Sequence, residues 1–142
     1  MTETIDKASF VDLLNEDLST EYQSIVQYTQ HIATIKGARY QALIAELRSH
    51  VGQELNHASI LADQIAFLGG VPTVEVPAIT SEPDEDAALR QDLDLETRQL
   101  QRYRDRVAQA NDMGLPDVAE ALKPLLTQTQ DHVMELQTAL GE

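Results

Sequence analysis

Apolar residues recur along most of this chain at alternating three- and four-residue steps, the spacing of a single helix face. A first run, about residues 6–36, carries Phe10, Leu14, Leu18, Glu21, Ile25, Tyr28, Ile32 and Ile35. A second, about 39–68, carries Leu43, Leu47, His50, Glu54, His57, Leu61, Ile65 and Leu68. A third, about 83–113, carries Leu89, Leu93, Glu96, Leu100, Tyr103, Val107 and Ala110, and a fourth, about 116–141, carries Val118, Leu122, Leu125, Thr129, His132, Leu136 and Leu140. Gly37, the pair Gly69 and Gly70 with Pro72 and Pro77 behind it, and Gly114 with Pro116 separate the runs. Ser81 is the expected N-cap of the third run, and Pro124 is expected to kink the fourth.

The pattern predicts an all-α fold of four helices in a single domain spanning residues 1–142. Short turns at Gly37 and Gly114 make each flanking pair antiparallel. The Pro-interrupted stretch between the pairs, VPTVEVPAITSEPDED, is long enough to run the length of a helix. Its length permits a crossover that leaves helices two and three parallel, or a loop folded back on itself. Composition agrees, since Ala, Leu, Gln, Glu and Arg dominate the runs and Trp is absent.

Each stripe is broken by polar residues near its middle. Glu21, Glu54 and Thr129 lie near the midpoints of their helices, and Glu96 lies within about a turn of its own. His57 follows Glu54 by one turn on the same face, and His132 stands at the same level of helix four. A single Glu on such a stripe fits a hydrogen-bonded core network or a solvent edge. Three Glu and two His at one level do not, because converging buried carboxylates repel until protons or cations balance them.

With no Cys in the chain, any metal is held by oxygen and nitrogen ligands. Carboxylates with one imidazole per metal suit iron or manganese, with zinc also allowed. A net charge of −14 argues against nucleic acid, and no apolar run reaches the length of a membrane span. The N-terminus has neither a basic nor an apolar leader, so a cytoplasmic protein is expected.

Four segments, LNEDLSTEYQSIVQY, QELNHASILADQIAFLGGVP, DLDLETRQLQRY and TQTQDHVMEL, resemble the iron-binding helices of bacterioferritins, members of the ferritin-like superfamily. The resemblance implies a ferritin-like four-helix bundle with two irons held by a Glu, a Glu-x-x-His, a second Glu and a second Glu-x-x-His. It casts Glu21 and Glu96 as terminal carboxylates, Glu54 as a bridge, His57 and His132 as imidazole ligands, and Tyr28 as a tyrosine beside the irons. The activity it implies is a ferroxidase-type oxidation of Fe(II) by oxygen or peroxide, with storage or detoxification of the product, in a homo-oligomer.

Three departures qualify that picture. Thr129 stands where the family has its second bridging Glu, its flanking Gln residues are expected to point elsewhere, and His50 or Glu135 is the nearest substitute ligand. One metal or two per chain therefore both remain open. Leu55 stands where bacterioferritins carry their haem-ligating Met, so no haem is expected. The chain ends close behind helix four, where bacterioferritins add a short fifth helix, which leaves a dimer, a smaller shell or an open assembly as alternatives to a large cage. Two further readings compete: a non-catalytic metal-binding or structural protein with an impaired or mononuclear site, and a di-metal oxidase acting on an organic substrate.

Overall fold

A computed structural model describes residues 4–142. Four long helices account for most of it: α1 Lys7–Thr34, α2 Gln41–Phe67, α3 Glu85–Asp112 and α4 Pro116–Ala139, with a short 3-10 turn at Ala38–Tyr40 leading into α2. Asp6 caps α1 by accepting from the Ser9 backbone N–H at 2.7 Å. The cap of α3 is Asp84, which accepts from Ala87 N–H at 3.0 Å, and not Ser81. Pro83 and the extended chain before it delay the helix to residue 85, and the Ser81 hydroxyl instead accepts from Gln30.

The glycine breaks after α2 and α3 work as expected. After α2, Gly69 adopts φ 87° and Gly70 N–H reaches back to Ile65 carbonyl; after α3, Gly114 adopts φ 76° and Leu115 N–H reaches back to Ala110 carbonyl. Each closes its helix with a left-handed residue and a six-to-one hydrogen bond, a conformation that glycine adopts without a Cβ clash. The fourth helix runs through Pro124 as one element, with that proline on its exposed face.

Side-chain pairs define the directions of the helices. Along α1 and α3 the partners run Asp17 with Arg106, Glu21 with Tyr103, Tyr28 with Glu96 and His31 with Asp92, so one number falls as the other rises. The α2 and α4 partners, His50 with Glu135, Gln53 with His132 and His57 with Gln128, do the same. Both neighbouring pairs are antiparallel, and α1 reverses into α2, so α2 and α3 run parallel on opposite corners of the bundle. The loop between them lies along α1: Asn15 bonds Val71 and Thr73, Ser19 bonds Glu75 and Gln30 bonds Ser81. The crossover, not the folded-back loop, is what forms.

Two apolar clusters fill the interior, one around Phe10, Leu14, Leu61, Ile65 and Leu122, the other around Tyr40, Leu43, Leu47, Leu89 and Leu136. Between them lies a polar waist. The stripe on α1 changes there: Ser24, Gln27 and His31 are buried, while Ile25 and Ile32, expected on that face, are only half-buried.

Candidate metal centre

The waist brings together Glu21 from α1, Glu54 and His57 from α2, Glu96 from α3 and His132 from α4, each 1% exposed or less. Ligand atoms of Glu21, Glu54 and His57 lie within 4.8 Å of one another, and so do those of Glu54, Glu96 and His132. Glu54 belongs to both groups. The His57 Nδ1 is 3.3 Å from Glu54 Oε2 and 3.8 Å from Glu21 Oε2. His132 Nδ1 is 2.9 Å from Glu54 Oε1, without hydrogen-bond geometry, and 3.4 Å from Glu96 Oε1.

Both imidazoles are aimed from behind. His57 Nε2 lies 2.6 Å from Gln128 Oε1 on α4, and His132 Nε2 lies 2.5 Å from Gln53 Oε1 on α2. An amide oxygen only accepts, so each ring keeps its proton on Nε2 and can offer Nδ1 as a bare donor to a cation. The carboxylates are held similarly: Tyr28 donates to Glu96 Oε1 at 2.9 Å, and Tyr103 with Gln99 donates to Glu21 Oε1.

The charges do not balance within the protein. Burial, then the charges of Glu21 and Glu96, push the Glu54 carboxyl well above the usual range, so without a cation it keeps its proton. Burial acts on Glu21 in the same direction, but the neighbouring Glu54 and His57 and the Tyr103 hydroxyl outweigh it and leave that carboxylate lowered. For His57, burial disfavours the charged ring, and the neighbouring Glu21 carboxylate more than reverses this. Glu21 Oε2, Glu54 Oε1, His57 Nδ1 and His132 Nδ1 are all buried with no hydrogen-bond partner. One such atom costs about 1–3 kcal/mol. Distributed over the two groups, the four form a donor set that fits divalent metal, each group offering one imidazole nitrogen and carboxylate oxygens.

Carboxylates and imidazoles at the waist of such a bundle, with helices two and three parallel across a long crossover, define the ferritin-like class. Residues 11–142 match the ferritin-like domain family, and the chain belongs to it. Within that family it is bacterioferritin-like. Bacterioferritin of Mycobacterium bovis and bacterioferritin BfrA of Mycobacterium tuberculosis are each 25% identical to it over 129 residues, covering 90% of this chain and 81% of theirs. A solved ferritin-like, diiron-carboxylate protein from Bacillus anthracis is similar along 99% of both chains, with a TM-score of 0.90 and 28% identity. A dodecameric thioferritin, the bacterioferritin-related protein of Bacteroides fragilis, has a TM-score of 0.83 at 26% identity over 97% of this chain and 88% of its own.

The two candidate substitutes for the missing bridge pair with each other. His50 is 2% exposed; its Nε2 bonds the half-exposed Glu135, its ring stacks on His132 at 3.9 Å, and it joins neither ligand group. Burial and the neighbouring His132 lower its pKa, which keeps the ring neutral beside the centre. Of the Gln residues beside Thr129, Gln128 does turn away from the carboxylates, but toward His57, a contact the stripe pattern missed.

Sequence reasoning also missed two buried polar groups spanning α1 and α3. Arg106 binds Asp17 at 2.8 Å on one side of the centre; His31 and Gln27 each bond Asp92 at 2.7 Å on the other. A signal existed. Asp17 sits four residues from Glu21, His31 three from Tyr28, Asp92 four from Glu96 and Arg106 three from Tyr103, all beside the apolar stripe.

Proposed function

We propose that this chain binds Fe(II) among Glu21, Glu54, His57, Glu96 and His132 and oxidises it, as an iron-handling protein of the ferritin-like family. The observation that carries the reading is the pair of three-residue groups sharing Glu54, which offers two adjacent positions for cations. Family membership and the likeness to the diiron-carboxylate protein of Bacillus anthracis support iron as the metal.

Iron is here a substrate: each Fe(II) gives up one electron to oxygen or peroxide and leaves as Fe(III) for storage or detoxification. The chain supplies hard carboxylate donors, imidazoles held in the donor tautomer by Gln53 and Gln128, and apolar clusters that exclude bulk water. A cation entering beside Glu54 displaces the proton that burial holds there, so uptake releases a proton. Stopped-flow absorbance after mixing with Fe(II) in air tests the activity. Oxidation no faster than in a Glu54→Ala, His57→Ala double variant overturns it.

Thr129 favours a second reading, a protein that binds a single metal without turnover. Metal analysis separates the two, with about two irons per chain supporting oxidation and one zinc supporting the alternative. We place the chain in a homo-oligomer, supported by its likeness to the dodecameric thioferritin of Bacteroides fragilis. Light scattering on the eluted protein tests this, and a monomer refutes it.

A further inference from the structure

The fourth helix repeats the second with one substitution. Gln53-Glu54-x-x-His57 on α2 faces Gln128-Thr129-x-x-His132 on α4, and the outer hydrogen bonds are exchanged between the two, Gln128 to His57 and Gln53 to His132. The exchange makes these segments locally two-fold related. Thr129 therefore occupies the place that mirrors Glu54, across the centre from it.

The Thr129 hydroxyl behaves unlike those of the other helical threonines. Thr20, Thr29, Thr34, Thr97, Thr127 and Thr138 each donate to the carbonyl four residues back, at 2.6–3.2 Å. That is the ordinary outlet for a helical threonine. Thr129 forgoes it: its Oγ1 is fully buried and has no partner at all. A fully buried hydroxyl at the level of the centre with no acceptor in the protein is free to meet a different one.

Charge identifies the acceptor. Glu21, Glu54 and Glu96 supply three negative charges, and two divalent ions bring four positive ones, leaving one uncompensated among residues that are 1% exposed or less. An isolated buried charge is strongly disfavoured, and among the described residues no further acid joins the two groups. We infer that Thr129 marks the binding site of a small exogenous oxygen-donor anion of the carboxylate class, which bridges the two metal ions opposite Glu54 and accepts the Thr129 hydrogen bond. Formate is the simplest such ligand, close in size to the carboxylate group that a Glu would have placed there. The inference rests on the two-metal reading above.

Cobalt(II) titration of the full-length protein, followed by sodium formate with the visible cobalt bands as readout, tests both levels separately. The expected wild-type result is two cobalt ions per chain and a saturable spectral change with formate. Thr129→Val should keep both ions and weaken formate about tenfold, the loss of one hydrogen bond to a charged acceptor. Thr129→Glu should abolish the formate response, because its own carboxylate fills the position. Two cobalt ions with no saturable response, or equal formate affinity in wild type and Thr129→Val, overturns the anion site alone. One cobalt or none overturns the two-metal reading together with it.

Discussion

Gln53 and Gln128 touch no carboxylate of the centre, yet each fixes which nitrogen of an imidazole can meet a cation. Gln53→Leu or Gln128→Leu should therefore weaken cobalt(II) affinity about 10- to 100-fold while Glu21, Glu54 and Glu96 remain in place. Anaerobic metal titration measures the effect, and unchanged affinity removes both residues from the centre. Glu54 makes the opposite test. Because burial and its neighbours keep it protonated without metal, Glu54→Gln should leave the metal-free melting temperature within about 2 °C of wild type and abolish the rise produced by metal. At Asp17, burial outweighs Arg106 and raises the pKa from 3.8 to about 6. The stability this carboxyl contributes is fully present below 3.8 and is lost as pH rises through 6, so the melting temperature of Asp17→Asn should fall less steeply than wild type over that interval. The candidate ligands Glu54 and His57 were legible in the sequence because they interrupt an otherwise apolar face. The glutamines were not, since a Gln beside a stripe looks like any half-buried helix residue until the opposite helix supplies its partner.

At the scale of elements, periodicity located all four helices to within a few residues, and glycines with positive φ ended α2 and α3 where expected. The misplaced cap of α3 shows the limit: Ser81 and Asp84 are both competent caps, and the extended path through Pro83 selects the second. Length alone left two paths for the crossover, and side-chain anchors on α1 select one. Asn15 holds it from both sides, donating to Val71 carbonyl at 3.2 Å and accepting from Thr73 N–H at 2.8 Å. Asn15→Ala should cost about 1 kcal/mol and speed protease cleavage within residues 71–80, read by limited proteolysis. Equal cleavage rates would show that the crossover is held by other contacts.

For the whole molecule, the polar waist divides the core into two apolar clusters, and its unbalanced carboxylates oppose folding until a cation joins them. Metal should therefore act as a stability ligand. At a free concentration about 100 times its dissociation constant, binding to the folded state alone adds about 2.7 kcal/mol. A calorimetric scan with and without chelator should show that difference as a raised melting temperature, absent in the Glu54→Ala, His57→Ala variant.

The residues that determine the fold act locally, and for that reason the sequence alone determined four amphipathic helices, their breaks and the level at which Glu21, Glu54, His57, Glu96 and His132 interrupt them. Helical period and length place a residue on a face and at a height with no knowledge of neighbours. Tertiary structure decided what those residues meet: Gln128 behind His57, Gln53 behind His132, Asp92 beside His31, and Glu135 with His50 outside the centre. These contacts join residues 61 to 85 positions apart on different helices, and only the packing of the bundle brings them together.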